Sequence, residues 1–267
     1  MNQSDDALLG LTRATARTAA EYVRAHRPQG RVAVAATKSS ETDVVTEIDR
    51  GTERMIRTMI GAARPDDAVM GEEDGESEGT SGVTWIVDPI DGTVNFVYGL
   101  PAYSVSIAAA VDGVVRTGCV VNVVTGEEYA AVRAGGAVTR SADGTDTELG
   151  PPPDVLLERA LVGTGFSYTG SIRARQGQAV AKLLGSVADV RRIGSAALDL
   201  CNVASGRLDA YVEEGLLPWD LAAGRLIAEE SGIIVAGLDG PPDERLTVAS
   251  PPSIADDFLA LVRRCGF

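Results

Sequence analysis

The stretch Trp85-Ile86-Val87-Asp88-Pro89-Ile90-Asp91-Gly92-Thr93-Val94-Asn95-Phe96 runs an apolar strand into two acids and a glycine–threonine turn. Its first three residues are aromatic or β-branched, which favours a buried strand. Pro89 has no backbone N–H to donate, so we expect the strand to end there. Asp88 and Asp91 lie three residues apart around the bend, and carboxylates that converge in this way require cations between them. The pattern predicts a metal site at a strand end.

The glycine and threonine of this stretch predict the start of a helix. The first N–H groups of a helix lack partners and favour an anion such as phosphate. A metal on one side of the bend and a phosphate on the other would indicate phosphoester chemistry. The alternative is an ordinary tight turn, because Asp-Pro and Asp-Gly pairs are common in turns. The motif by itself leaves both interpretations open.

The composition predicts a globular, acidic protein. The chain has 267 residues, of which 45% are hydrophobic, and this is enough for a large core. It has 24 Lys and Arg against 38 Asp and Glu, a net charge of −14. This balance disfavours direct nucleic-acid binding, which rests on a basic surface. The clustered pair Arg191-Arg192 is interpreted as two solvated arginines beside a strand.

The remaining composition narrows the location and the chemistry. No apolar run reaches the roughly 18 residues of a membrane span and the start of the chain does not resemble a signal peptide, so we expect a cytoplasmic protein with no membrane partner. Cys119, Cys201 and Cys265 are predicted to be buried structural thiols, although Cys265 could be exposed near the terminus. The single histidine, His26, is expected to pack at the end of the first helix. With one imidazole, the chemistry must rely on carboxylates, hydroxyls and hard metals.

Periodicity and turn signals predict a layered fold of the α+β or α/β type in two halves. Gly150-Pro151-Pro152-Pro153 is the one strong linker signal, so we divide the chain into residues 1–149 and 150–267. Residues 74–82 are predicted to form an acidic loop that cannot pack. The predicted helices are residues 5–26, one that begins after an N-cap at Thr46, 195–204, 221–231 with Asp220 at its start, and one from Ser253. The predicted strands are residues 31–45 as a short extended pair, 68–71, 103–111, 114–122, 127–132, 161–163, 187–193, 208–213, 233–235 and 247–249.

Three separate segments place acids at the ends of predicted elements. Glu72-Glu73 follows one strand, the pair of aspartates described above ends another, and Asp220 begins a helix directly after Trp219. If they meet, carboxylates and a backbone carbonyl form an oxygen-rich site that suits Mg²⁺. Taken singly, Glu72-Glu73 reads as a solvated loop and Asp220 as an ordinary helix-capping acid.

Three motifs together resemble the signature segments of the inositol monophosphatase family. They are Gly71-Glu72-Glu73, the block from Asp88 to Phe96, and Trp219-Asp220-Leu221-Ala222-Ala223-Gly224, and the likeness extends over about the first 250 residues. The resemblance implies an αβαβα sandwich of the sugar-phosphatase type, which includes fructose-1,6-bisphosphatase. It also implies a homodimer that hydrolyses small phosphate monoesters with two to three Mg²⁺ per active site and is inhibited by Li⁺.

The resemblance implies the following metal and catalytic residues. Glu72, Asp88 and the Ile90 carbonyl would hold one Mg²⁺, and Asp88, Asp91 and Asp220 a second, with Glu72 helping to place a third through water. Thr93, oriented by Asp49, would help Glu72 to deprotonate the water that attacks phosphorus in line. The metal would make hydroxide accessible near neutral pH without a histidine.

The same resemblance implies residues around the substrate. Gly92, Thr93 and the segment Gly194-Ser195-Ala196 would lie beside the phosphate, and Glu213 would accept hydrogen bonds from sugar hydroxyls. Lys38 and Glu73 match residues just outside the metal ligands. For Lys38 the alternative is a surface-loop lysine, and for Glu213 an exposed strand-end acid.

The leading expectation is Mg²⁺-dependent hydrolysis of inositol 1-phosphate to inositol and phosphate. The alternatives are another monoester of the same superfamily, such as a 3′-phosphoadenosine nucleotide, fructose 1,6-bisphosphate or histidinol phosphate, and a dual-role protein that also binds transcription machinery. The crowded acids disfavour a pure binding module, because such a module has no need of a self-repelling cluster.

Overall fold

The computed structural model describes residues 3–34, 36–37, 44–141 and 143–267. The helices within these ranges are α1 Gln3–His26, α2 Glu47–Ala63, α3 Thr93–Tyr98, α4 Gly170–Leu183, α5 Ala196–Ala204, α6 Pro218–Glu230 and α7 Ala255–Cys265, with a short 3₁₀ helix at Leu157–Arg159. The strands are β1 Ala36–Thr37, β2 Val44–Val45, β3 Ala68–Gly71, β4 Gly75–Ser77, β5 Val83–Asp91, β6 Ser104–Val111, β7 Val114–Asn122, β8 Glu128–Val132, β9 Gly136–Arg140, β10 Asp146–Leu149, β11 Leu161–Thr164, β12 Asp189–Arg191, β13 Ala210–Glu213, β14 Ile234–Ala236 and β15 Thr247–Ser250.

Two sheets separate three layers of helices. The larger sheet has the order β10-β9-β8-β7-β6-β5-β3-β4 and is antiparallel except where β3 pairs with β5. The smaller has the order β12-β11-β13-β15-β14, with its first three strands parallel. Helices α1 and α2 cover one face of the large sheet, α5 and α6 lie between the sheets, and α7, with α4 against it, covers the far face of the small sheet. The expected αβαβα sandwich is confirmed.

Three apolar clusters hold these layers together. The first packs Trp85, Ile107 and the inner faces of α1 and α2. The second joins the two sheets through α5 and α6, with Leu200 and Leu226 fully buried. The third lies under α4 and α7. Burial of apolar surface stabilises the fold by roughly 25 cal/mol per Å². The three clusters therefore hold the strands in place, and the polar site lies at the ends of those strands.

The start of α2 confirms a local prediction. Thr46 is the N-cap, and its Oγ1 accepts hydrogen bonds from the N–H groups of Ile48 at 3.2 Å and Asp49 at 3.3 Å. The Asp49 carboxylate in turn accepts from the Thr46 N–H at 3.0 Å, which completes a capping box. This reciprocal pair satisfies backbone donors that a helix start otherwise leaves unpaired.

The prediction that Pro89 ends its strand is wrong. Strand β5 continues through Pro89 to Asp91, and its register against β6 shifts between Asp88 and Asp91. A bulge is one of the few positions where a strand tolerates a residue without an N–H donor. At this bulge the Ile90 N–H donates to Asp88 Oδ1 at 3.0 Å instead of to the neighbouring strand. The irregularity therefore turns both acids toward one end of the sheet.

Several element predictions also need correction. Residues 74–82 do not form only a loop, because β4 pairs with β3 while its three residues stay exposed. Helix α4 and strands β9 and β10 were not predicted, and α6 begins at Pro218 instead of at Asp220. The missed segments carry little amphipathic pattern, and they are held by backbone pairing or by tertiary contacts.

One single-residue prediction is wrong as well, because His26 is exposed, with its ring stacked on Tyr22 at 3.9 Å between centroids. The prediction of three buried thiols is confirmed, and Cys265, for which exposure was the alternative, is buried at 4% exposure. Among the residues that the structure describes, no helix has both the length and the apolar character needed to cross a membrane.

Candidate metal and phosphate site

A cavity of about 710 Å³ opens where the end of β5, the start of α5, the end of β13 and the start of α6 meet. Ten of the residues predicted for the site line it, namely Glu72, Asp88, Ile90, Asp91, Gly92, Thr93, Gly194, Ala196, Glu213 and Asp220. Asp49, Glu73 and Ser195 do not line it, and Lys38 lies outside the described residues. Packing therefore gathers residues that are nearly 150 positions apart in sequence.

Three carboxylates converge at one side of this cavity. One oxygen from each of Asp88, Asp91 and Asp220 lies within 4.8 Å of the others. The first two are buried, at 1% and 7% exposure, and the third is half-buried. Asp220 Oδ2 accepts the Leu217 N–H at 2.7 Å and so caps α6, which fixes its orientation.

Asp91 is held by the first turn of α5. Its Oδ2 accepts hydrogen bonds from Ser195 Oγ at 2.5 Å and the Ala197 N–H at 2.8 Å, and its Oδ1 from the Ala196 N–H at 3.3 Å. Ser195 also caps α5 through the Leu198 N–H at 3.3 Å and is 1% exposed. Ser195 therefore orients the Asp91 carboxylate by a hydrogen bond without lining the cavity itself. Ser104, which the sequence did not single out, lies 3.1 Å from the Ser195 hydroxyl.

Crowding changes the acidity of all three carboxyls. Burial, followed by the charges of Glu72, Asp91 and Asp220, raises the pKa of Asp88 well above its usual range. Burial raises the pKa of Asp91 to about 6, against the lowering effect of its hydrogen bonds to Ser195 and Ala197. Burial and the charge of Asp91 also raise the pKa of Asp220. A set of oxygen donors that repel one another fits a hard divalent cation such as Mg²⁺.

Glu72 enters the site from a turn that a buried acid holds in place. The Glu72 N–H donates to Val87 O at 3.2 Å, and the next two N–H groups, of Glu73 and Asp74, donate to Glu53 at 2.8 and 3.1 Å. Glu53 is fully buried and paired with Arg57 at 2.8 Å. Sequence reasoning missed Glu53. The available signal was an acid on the same face of α2 as the core residues of that helix.

Thr93 and Asp49 lie next to each other at the rim of the acid cluster. Thr93 Oγ1 is 3.2 Å from Asp49 Oδ1 and 3.0 Å from Ile90 O, so its hydroxyl can donate to either. Asp49 is fully buried, and burial raises its pKa to about 6 although hydrogen bonds from Thr46 oppose the shift. A group with this pKa can accept a proton near neutral pH.

Glu213 lies on the substrate side of the cavity. Tyr211 donates its hydroxyl to Glu213 Oε2. Burial raises the pKa of Glu213 to about 7, although the Tyr211 hydrogen bond and the charge of Arg192 lower it. A β-carbon added at Gly165 would lie 1.9 Å from Glu213 Oε1, so this glycine makes room for the carboxylate. Arg192 also lines the cavity. The sequence interpretation, which treated Arg191 and Arg192 as two solvated arginines, did not predict this position.

An oxygen-only acid cluster at a cavity of small-molecule size is compatible with metal-assisted chemistry on a phosphate ester. The model of the inositol monophosphatase family matches residues 5–266. A Mycobacterium leprae protein named inositol-1-monophosphatase is 48% identical over 235 residues, which are 85% of this chain and 80% of that protein. The chain therefore belongs to the inositol monophosphatase family.

Two further similarities show how the family varies. The solved structure of Mycobacterium tuberculosis SuhB superposes with a TM-score of 0.84 at 42% identity and covers 99% of each chain. An Escherichia coli protein named Nus factor SuhB is 38% identical over 236 residues, 86% of this chain and 86% of that protein. The chain is thus similar both to a protein named inositol-1-monophosphatase and to one named Nus factor SuhB.

Proposed function

We propose that this protein hydrolyses inositol 1-phosphate, and related small phosphate monoesters, in a Mg²⁺-dependent reaction. The observation that carries the proposal is the convergence of Asp88, Asp91 and Asp220 within 4.8 Å at a cavity large enough for a small phosphorylated polyol. The name of the Mycobacterium leprae relative supports the choice of substrate.

The metal ligands that we propose follow the acids of the cavity. Glu72, Asp88 and the Ile90 carbonyl would hold one Mg²⁺ and Asp88, Asp91 and Asp220 a second, with Glu72 near a looser third. When bound, the ions supply positive charge that lowers the pKa of the attacking water and offsets charge on the leaving oxygen. Their charge would also relieve the repulsion that raises the pKa of Asp88.

Thr93 and Asp49 are the proton-handling pair in this proposal, together with Glu72. The Thr93 hydroxyl can receive a proton from the attacking water while it passes its own to Asp49 Oδ1, 3.2 Å away. Asp49 can take that proton because burial raises its pKa to about 6. Thr46 holds the other Asp49 oxygen through its backbone N–H at 3.0 Å, which orients the acceptor.

The remaining residues of the cavity would bind the substrate. The backbone of Gly92, Thr93, Gly194 and Ala196 lines the cavity beside the acid cluster and would receive the phosphate, with Ser195 supporting from behind. Glu213 would accept hydrogen bonds from the alcohol. We also propose that residues 1–149 carry most metal ligands and that residues 150–267 bring Asp220 and the substrate side.

A panel of monoesters tests the proposal. Phosphate release would be measured on inositol 1-phosphate, a 3′-phosphoadenosine nucleotide, fructose 1,6-bisphosphate and histidinol phosphate, with Mg²⁺ and with a chelator. We expect the highest kcat/KM on inositol 1-phosphate and no turnover after chelation. Turnover of Asp91→Asn within a few-fold of the parent would contradict the metal assignment.

A second role is favoured by the Escherichia coli relative, whose name is Nus factor SuhB. We propose that this chain could also bind transcription machinery, and a pull-down with a catalytically impaired Asp220→Asn variant tests it. A stable RNA polymerase complex would support this role, and its absence would contradict it. Homodimer formation and Li⁺ inhibition are parts of the main proposal that light scattering and inhibition assays measure directly.

A further inference from the structure

Arg192 is an unpaired cation on the wall of the cavity. It follows β12, precedes α5, and lines the cavity together with Gly194. A β-carbon added at Gly194 would lie 2.3 Å from Arg192 Nη1, so the guanidinium lies across this glycine, whose φ is +101°. Such a φ excludes most side chains. The absence of a side chain at Gly194 thus lets the Arg192 guanidinium lie against the backbone of this residue.

Three nearby arginines already form ion pairs with carboxylates of the chain. Arg175 and Arg245 line the same cavity, but both are paired with the buried carboxylate of Glu214. Arg191, the neighbour of Arg192, is paired with Asp189 at 2.5 Å and does not line the cavity. Among the described residues, Arg192 has neither a hydrogen bond nor an ion pair. Its donors are therefore available to a ligand.

Glu213 lines the same cavity as Arg192 and offers the complementary group, a hydrogen-bond acceptor. Tyr211 occupies Oε2 of Glu213, and within the described residues Oε1 has no hydrogen-bond donor. Arg192 is close enough for its charge to lower the pKa of Glu213 against the effect of burial. The guanidinium of Arg192 can therefore donate hydrogen bonds, and Glu213 Oε1 can accept one, in the same cavity.

We propose that Arg192 is a specificity-determining residue that donates to one hydroxyl of the substrate alcohol while Glu213 accepts from a neighbouring hydroxyl. The inference rests on the proposed function and extends it to the class of alcohol. A hydroxyl both donates and accepts, so a pair of adjacent hydroxyls satisfies both side chains. The preferred substrate is accordingly a monoester of a neutral polyol.

A second anionic group is the competing ligand for the arginine, and the surroundings disfavour it. Glu213 and Glu244 also line the cavity, in addition to Glu214, whose charge is paired with Arg175 and Arg245. A phosphate or carboxylate bound to Arg192 would lie near the Glu213 carboxylate, and like charges at short range are unfavourable. A neutral hydroxyl avoids this repulsion.

The test compares Arg192→Met and Arg192→Lys with the matched control Arg191→Met, in the full chain with Mg²⁺. The substrates are inositol 1-phosphate, 4-nitrophenyl phosphate, which has no hydroxyl on its leaving group, and fructose 1,6-bisphosphate. For Arg192→Met we expect KM for inositol 1-phosphate to rise about 10-fold or more, the range for a lost hydrogen bond to a charged group. We expect kcat on inositol 1-phosphate and both constants on 4-nitrophenyl phosphate to stay within about twofold, and Arg191→Met to match the parent.

Other outcomes would overturn the inference. An unchanged KM for inositol 1-phosphate, or an equal rise for 4-nitrophenyl phosphate, would show that Arg192 does not recognise hydroxyls. A larger loss on fructose 1,6-bisphosphate than on inositol 1-phosphate would show recognition of a second anion instead. If Arg192→Met does not fold, Arg192→Lys decides, since it keeps the charge and lacks the planar fork. It should raise KM only for the polyol ester, and an unchanged KM overturns the inference.

A binding measurement separates this inference from the proposed function. If the parent protein releases phosphate from none of these esters, the proposed function fails. Binding of free inositol to the parent and to Arg192→Met, followed by NMR titration, then tests Arg192 alone. Weaker binding by the variant supports the inference, and equal binding, or none to either protein, overturns it.

Discussion

Two groups of acids lie along strand β5. Asp67 contacts the start of the strand, and the cluster of Asp88, Asp91 and Asp220 lies at its end. Near the start, Trp85 Nε1 donates to Asp67 at 2.8 Å, Ser81 Oγ donates to the same carboxylate at 2.6 Å, and Arg64 pairs with it. At the end, Asp88 and Asp91 lie close to Asp220, and within the described residues none of these three has an ion-pair partner. Asp67, Asp88 and Asp91 are buried and Asp220 is half-buried, and of these acids only Asp67 has, among the described residues, a cationic side chain as a partner.

This difference appears in the acidity of the two groups. Burial alone would raise the pKa of Asp67, but the hydrogen bonds from Arg64, Ser81 and Trp85 bring it below its usual value. Burial and mutual repulsion raise the pKa of Asp88 well above that value. When a buried acid has its own arginine, removing either partner destabilises the fold, because the other charge is left buried and uncompensated. A buried cluster without one has unfavourable energy that a cation from solution can relieve.

The largest expected effect is the loss of activity in Asp220→Asn. The amide oxygen can still accept the Leu217 N–H that Asp220 Oδ2 accepts at 2.7 Å, so the helix start should survive. Because even residues behind metal ligands contribute about 10- to 100-fold, we expect kcat/KM to fall by at least about 100-fold in phosphate release at saturating Mg²⁺. A fall of only a few-fold would place Asp220 outside the metal site.

Asp67→Asn should have the opposite effect to Asp220→Asn. We expect it to lower the stability of the protein and to leave phosphate release nearly unchanged. Breaking its pair with Arg64, which is 36% exposed, should cost about 2–4 kcal/mol in urea unfolding. The native pKa of Asp67 is lowered, so its contribution is present at neutral pH and is lost as pH falls below about 4. The parent and the variant should therefore converge in acid. A kcat/KM more than a few-fold lower in the folded variant would contradict the separation of the two groups.

Glu53→Gln tests an intermediate case. Glu53 is paired with Arg57 like a structural acid, yet it holds the Glu73 N–H at 2.8 Å, directly after the proposed ligand Glu72. Loosening that turn should lower kcat/KM by about 10-fold. The apparent Mg²⁺ requirement should rise with it, which a general loss of stability would not produce. An unchanged Mg²⁺ titration would mean that Glu53 only supports the fold.

The smallest expected effect is a change of stability with pH in the absence of metal. Burial raises the pKa of Asp91 to about 6, so the folded protein binds more protons than the unfolded chain. The associated stability is present below about pH 4 and is lost as pH rises through about 6. In chelator, the melting temperature of the parent should therefore fall relative to that of Asp220→Asn by a few degrees between about pH 5 and pH 7.5. Added Mg²⁺ should raise the melting temperature of the parent and much less that of the variant.

Local signals predicted much of the chain. The N-cap at Thr46 follows from its own side chain and from Asp49 three residues later. The alternation and the turn residues predicted strands β6 to β8 with few errors in their bounds. Helix α4 was missed because its pattern is weak and its Gln176 is oriented by Glu214 at 3.0 Å, a contact 38 residues away.

The sequence alone determined the family, the candidate acids and the layered fold, because motif spacing and hydrophobic period are properties of short segments. The tertiary structure alone decided that Asp88, Asp91 and Asp220 share a space within 4.8 Å, and that β5 continues through Pro89. It also decided that Arg192 lies on the cavity wall while Arg191 does not. These facts depend on how the two sheets pack around α5 and α6, and the energy of that packing comes from contacts between residues far apart in the chain.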